Sequence, residues 1–170
     1  MTAKESDVPM ESVEIVEADL NRKDHQKMVL DLIDAYARDP MGNSGPLPAD
    51  VKENLIPGLK KHPTTLIYLA FEKGEPTGIA VCFVGFSTFA ARPVINIHDL
   101  AVLPGRRGGG VGRQLLTAVE CKARGMGCCK VTLEVLENNH RAMKVYAAAG
   151  FAQATYRNDA GGALFFAKQL

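Results

Sequence analysis

The run Pro104-Gly105-Arg106-Arg107-Gly108-Gly109-Gly110-Val111-Gly112 constrains this chain more than any other stretch. It comes after an apolar segment, Ile95 to Leu103, that reads as a buried strand, and it opens onto the helical pattern that begins Arg113-Gln114-Leu115-Leu116. Five glycines at such a junction leave backbone N–H groups uncovered by side chains. The first turn of a helix has N–H groups with no acceptor inside the helix, and it carries the positive end of the macrodipole. Together these make an anion site suited to a phosphate or pyrophosphate. Cys128 to Val135 then reads as another strand, so the unit is a βαβ crossover with its two strands parallel.

Spacing separates the motifs that share this physics. A P-loop needs Lys-Ser/Thr after its last glycine, where Arg113-Gln114 stands. A dinucleotide fingerprint needs Gly-x-Gly-x-x-Gly near the start of its domain, and nearly a hundred residues precede this run. Arg107-x-x-Gly110-x-Gly112 does resemble the Gln/Arg-x-x-Gly-x-Gly/Ala pattern of the GNAT superfamily of N-acetyltransferases. Further along, Asn139-x-x-Ala142, then Tyr146, then Ala149-Gly150-Phe151 is similar to that family's C-terminal motif. Ile97-His98-Asp99-Leu100-Ala101-Val102 resembles its central strand. The likeness runs in order from Thr64 onward.

The remaining chain reads as alternating elements. Ser12 to Glu17 alternates as a strand does, and Asn21 or Asp24 is positioned to cap the next helix. That helix buries Met28, Val29, Leu32, Ile33 and Tyr36 and stops before Asp39-Pro40. Pro40 to Pro48 is a loop, and a second helix carrying Val51, Leu55, Ile56 and Leu59 is bent or ended by Pro57-Gly58. Thr64 to Phe71 and Pro76 to Phe89 are strands around the turn Glu72 to Glu75, and Arg92-Pro93 breaks the chain before Val94 to Leu103. The helix after the glycines ends at Gly125, and Asn138 or Asn139 caps the last one, which Gly150 ends. Phe151 to Tyr156 and Ala163 to Lys168 form a terminal hairpin across the turn from Asn158 to Gly162. The expectation is a mixed α/β fold, one domain over residues 11–170 after a frayed tail from Met1 to Met10, with about seven strands and four helices.

Composition removes other classes. A net charge of +1 offers little to attract nucleic acid or anionic membrane. Met1 to Met10 has no apolar run, so neither a leader nor a membrane span is expected there. Cys82, Cys121, Cys128 and Cys129 form no Cys-x-x-Cys pair and have no histidine at metal spacing, so a reduced cytoplasmic setting without a bound metal is expected. Lys122, Arg124 and Lys130 read as surface charge, and Asp34, Tyr36 and Asp39 as a solvated helix face.

The resemblance implies direct acetyl transfer from acetyl-CoA to a primary amine of a small molecule, without an acyl-enzyme. The alternatives are a protein amino group as acceptor, or a CoA-binding regulatory module without catalysis. In that family, backbone groups at Leu100, Ala101 and Val102 would serve the pantetheine and thioester carbonyl. Backbone N–H groups from Arg107 through Gly108, Gly109, Gly110, Val111 and Gly112 would hold the pyrophosphate, with Arg106, Arg107 and Arg113 adding charge. Tyr146 would donate a proton to the departing thiolate, or else pack on Phe151, and Asn139 would bind cofactor or cap its helix. His98 stands where polyamine-acetylating relatives often carry glutamate before aspartate; an imidazole there would take the amine proton through a water. Asp99 faces the other side of a regular strand unless a bulge turns it. Relatives of this kind often pair as dimers, so a homodimer is expected.

Overall fold

A computed structural model describes residues 13–155, Arg157, Asp159 and residues 161–170. The expected tail Met1 to Met10, together with Ser12, Tyr156, Asn158 and Ala160, lies outside the described residues. Contacts divide the chain into Met1–Leu136 and Glu137–Leu170.

The first unit is a five-stranded sheet in the order β1-β2-β3-β4-β5, flanked by three helices. Its strands are β1 (Glu14–Glu17), β2 (Thr65–Glu72), β3 (Glu75–Ser87), β4 (Arg92–Val102) and β5 (Lys130–Leu133). Its helices are α1 (Lys23–Ala37), α2 (Ala49–Lys61) and α3 (Val111–Gly125). The first four strands pair antiparallel, whereas β5 runs parallel to β4, as the crossover requires. Lys73 and Gly74 both have positive φ (53° and 81°), which gives the β2–β3 turn the twist a two-residue hairpin needs.

Apolar side chains fill both sheet faces. On one, Ile67 and Leu69 of β2 and Ile79 and Val81 of β3 pack with Val29 and Leu32 of α1 and Leu59 of α2. On the other, α3 buries Val111, Leu115, Leu116, Val119 and Ala123. Gly78 of β3 makes that approach possible. A Cβ there would lie 3.0 Å from Val111 Cγ1 and 3.1 Å from the Ala101 carbonyl oxygen.

Several boundaries differ from expectation. Neither Asn21 nor Asp24 caps α1; Arg22 is its N-cap, and Asp24 pairs with the Arg22 guanidinium. The α1 entry is tied instead by buried His25, whose Nδ1 accepts the Asp19 N–H at 2.9 Å. Pro57 does not end α2, which runs on to Lys61. Arg92-Pro93 opens β4 rather than breaking the chain, and the turn falls before it at Ala91, φ 49°. At the end of α3 it is Gly127, φ 69°, that takes the left-handed position. Its N–H bonds Arg124 O and that of Cys128 bonds Ala123 O, the paired pattern of a Schellman cap.

The second unit holds α4 (His140–Ala148), capped by Asn139, whose Oδ1 accepts the Ala142 N–H at 3.2 Å. Gly150, φ 86°, closes it, with Phe151 N–H on Tyr146 O. Among the described residues the terminal hairpin shows one bridge, Thr155 with Gly162. Leu164, Phe165 and Phe166 are 74%, 72% and 85% exposed, so burial supplies no drive for a second pair of strands. The described residues thus hold five strands, against the expected count of about seven, in the expected α/β class.

Candidate functional site

The sheet opens beside β4. β5 pairs only with Val94 to Ile97, yet β4 continues to Val102, so its last stretch has an edge with no neighbour on the β5 side among the described residues. The ladder decides which groups that edge offers. Leu103 N–H bonds Thr77 O on β3, so by antiparallel alternation Ala101 also points its backbone at β3. Leu100 and Val102 turn theirs to the open side. Of the expected trio, Ala101 is therefore the one held in the ladder.

The glycine run continues directly from this edge. Pro104–Arg106 forms a single 3₁₀ turn, then Gly108 (φ 91°) and Gly110 (φ 86°) take left-handed conformations that deliver the chain into α3. Gly110 is the N-cap and has no side chain to satisfy the first turn, so the N–H groups of Val111, Gly112 and Arg113 have no acceptor within their helix. Gly108 to Gly110 are exposed, as are Arg106 and Arg113. The loop is thus an accessible cradle of donors at the positive end of a fifteen-residue helix.

Arg107 is turned inward instead. Its Nε donates to Val102 O at 2.8 Å and its Nη2 to Asp39 Oδ2 at 2.5 Å. The guanidinium is spent on protein acceptors and the Arg107 N–H turns to Pro104 O, so neither faces an anion as the expectation had it. This also corrects the reading of the α1 C-terminus as a solvated face. The Asp39 side chain is 8% exposed. Asp34 braces the α1–α2 loop through Arg38, Lys52 and the Leu47 N–H, contacts that hold its carboxyl down to about 2. Tyr36 is half-buried and lines a small cavity with Leu32, Ala101, Val102, Pro104 and Arg107.

His98 is the pivot of the other end. Val81 pairs with Asp99 and Cys82 with Ile97, so the register passes over His98. One extra residue reverses the facing of the strand beyond it. Asp99, opposite Val81, comes to the α1 side, while Ile97, opposite Cys82, stays on the α3 side. The bulge that turns Asp99 is therefore present. His98 shares that α1 side, its exposed ring 5.6 Å from Phe83, which in turn meets His62 at 4.6 Å. Burial raises the Asp99 carboxyl, with His98 opposing the shift. Burial, then Asp99 and Asp39, raise the Tyr36 phenol. Burial, aided by Asp99, pushes Cys82 up to about 12, as befits an inert core thiol.

In the second unit, Tyr146 lies on α4 with its ring 6.1 Å from Phe151, the contact that accompanies a Schellman cap. Asn139 does cap its helix, so its Oδ1 is already in use there. Lys122 and Arg124 are surface charges paired with Glu17 and Glu120. Among the described residues no cluster of three His, Cys, Asp or Glu is set to hold a metal, and no helix is long and apolar enough to cross a membrane.

Sequence alone missed Gly78, a strand glycine whose need appears only when α3 is placed. It also missed the Asp39–Arg107 pair, whose members stand sixty-eight positions apart.

Comparison with known proteins bears on this geometry. The model of a family described as acetyltransferase (GNAT) matches residues 29–151. A thialysine N-epsilon-acetyltransferase of Bos taurus is 38% identical over 82 residues, which cover 45% of this chain and 48% of that protein. The N-alpha-acetyltransferase MAK3 of Arabidopsis thaliana is 35% identical over 89 residues, 52% of this chain and 46% of that protein. The chain thus spans about half the length of these curated relatives. A crystal structure described as that of a probable acetyltransferase superposes with a TM-score of 0.74 at 21% identity, covering 92% of this chain and 99% of that one.

Proposed function

The chain belongs to the acetyltransferase (GNAT) family, and on that premise we propose that it moves the acetyl group of acetyl-CoA directly to a primary amine of a small molecule. The observation that carries this is the open β4 edge, where Leu100 and Val102 turn their backbone outward, leading through a single turn to the glycine cradle with its unpaired donors at the head of α3. An extended chain ending in a pyrophosphate fits such a track: strand-like pairing along the edge, then charge against the helix terminus. Acetyl-CoA has that form. The exposed Arg106 and Arg113 add charge beside it.

The acceptor amine must first lose a proton, and His98, bulged out and exposed on the α1 side, takes it through water. The amine nitrogen then bonds the thioester carbon, the carbon–sulfur bond breaks, the sulfur leaves with the electron pair, and the second proton that the nitrogen sheds goes to water, from which the proton donor to sulfur is refilled. Tyr146, at the tyrosine of the family's C-terminal motif, supplies the proton that the sulfur gains. Similarity to a protein named for acetylating thialysine, a small amine, favours a small acceptor. Similarity to an N-alpha-acetyltransferase favours a protein amino group as the second reading. The enzyme would work in the cytoplasm, with its four thiols free, and as a homodimer.

Thiol release from acetyl-CoA across small amines, polyamines, amino acids and peptides tests the reaction and names the acceptor. Turnover with a small amine is expected, with Tyr146→Phe lowering turnover more than affinity. Turnover with peptides alone would favour the second reading. Tight coenzyme A binding without turnover on any amine would leave the regulatory module, and no binding would overturn the glycine-loop assignment.

A further inference from the structure

Asp39 is shared between two loops. Its Oδ2 accepts from Arg107, the first residue of the glycine motif, while its Oδ1 accepts the Met41 N–H at 2.8 Å. Its backbone carbonyl takes the Gly42 N–H at 2.8 Å, and Ala37 O takes those of Asn43 and Gly45 at 2.9 and 3.2 Å. The segment 40–48 is thereby folded back on the end of α1. The approach is close: a Cβ on Gly42 would stand 2.3 Å from the Tyr36 carbonyl oxygen. On the other side, Arg107 grips Val102 O, so one guanidinium joins the end of β4, the glycine run and this segment.

We propose that the Asp39–Arg107 pair is a positioning device that couples the glycine run to the 40–48 segment, so that anion binding at the first orders the second. The inference rests on reading the glycine run as the coenzyme A site. The run is soft by construction, because two of its residues are left-handed glycines and its N-terminal donors lack acceptors in their helix. A bound pyrophosphate immobilises it. Arg107 passes that order on, since its side chain is fixed at both ends and, with Asp39, is largely out of water (side chains 23% and 8% exposed). A pair so buried is not lightly opened, as either partner left alone is an uncompensated charge. Coupling between two such sites is reciprocal: whatever orders 40–48 tightens the hold on the anion by the same factor. The cavity lined by Tyr36, Ala101, Val102 and Arg107 lies against this junction. A ligand there and an anion on the run would each favour the other.

Amide hydrogen exchange with and without coenzyme A tests this. In the unmodified protein, coenzyme A is expected to slow exchange at 104–113 and also at 40–48. In Asp39→Asn it should bind roughly tenfold more weakly, within the usual span of coupling factors, and protect 104–113 alone. Arg107→Lys, which keeps the charge but replaces the planar fork that spans Val102 O and Asp39 with a single ammonium, gives the same pattern and serves if Asp39→Asn fails to fold. Protection of 40–48 that persists in the variants, or its absence in the unmodified protein while 104–113 is protected, overturns the coupling. No binding to the unmodified protein overturns the glycine-run reading and this inference with it.

Discussion

At Asp99, burial and charge work against each other. The bulge at His98 brings this carboxyl to the α1 side, where loss of water raises its pKa above the ordinary value of 3.8 and His98 only partly opposes the rise. A carboxyl with a raised pKa in the folded state holds its proton to higher pH than the unfolded chain does. Its contribution therefore turns unfavourable as pH climbs through the unfolded value, and the penalty stays in force at neutrality. Asp99→Asn keeps the shape and removes the charge, so its melting temperature should exceed that of the unmodified protein at pH 7. The gain should shrink as pH falls through the unfolded value and be gone by about pH 3, where the carboxyl is protonated in the folded and the unfolded chain alike. A lower melting temperature at pH 7 would mean that the carboxylate is held by a favourable contact and that its pKa is not raised. At this scale the sequence announced the residues but not their roles. His98 and Asp99 were visible as polar interruptions of an apolar strand, while the bulge that gives them one face depends on how β4 registers with β3. Asp39 and Tyr36 read as solvent-facing because nothing near them in sequence hints at Arg107.

Among the elements, the seat of α3 on the sheet governs the cradle. Val111 and Leu115 of α3 press against Gly78, where a Cβ would be 3.0 and 3.2 Å from their side chains and 3.1 Å from the Ala101 carbonyl oxygen. The Ala101 carbonyl belongs to the strand and cannot step aside, so Gly78→Ala must lift the head of the helix. We expect a loss of about 1–3 kcal/mol in urea unfolding, the range for overpacking, together with weaker coenzyme A binding by calorimetry. Lost stability with unchanged affinity would show that the cradle tolerates displacement of its helix. Elements were legible where local chemistry decides them. The Lys73-Gly74 turn, the Asn139 cap, the Gly150 stop and the parallel β4–β5 crossover all come from short-range steric and hydrogen-bond rules. The errors fall where packing decides. Pro57 is carried within α2 instead of ending it, and among the described residues the terminal hairpin shows a single bridge, with Leu164, Phe165 and Phe166 exposed.

Across the whole molecule, the thiols record how stability is distributed. Cys82 is fully buried in β3, which pairs with both β2 and β4, and burial pushes its pKa up to about 12. Cys121 is exposed on α3. An alkylating reagent needs thiolate and access, so Cys121 should react at once. Cys82 should react only when the sheet opens, at a rate set by the unfolding free energy when reclosing outpaces alkylation. This makes Cys82 a reporter of binding that needs no acceptor and no turnover. A ligand held only by the folded chain raises the unfolding free energy by RT ln(1 + [L]/Kd), about 2.7 kcal/mol at a hundred times Kd. Acetyl-CoA is the ligand to use, because its sulfur is already acylated and consumes no reagent. At that concentration Cys82 labelling should slow roughly a hundredfold, with Cys121 unaffected. Equal slowing of both would mean that acetyl-CoA shields the α3 surface itself. No slowing of Cys82, at concentrations that saturate calorimetric binding, would mean that β3 opens without the cradle coming apart. The sheet and the coenzyme site would then be separate cooperative units, which the continuity of β4 into the glycine run argues against.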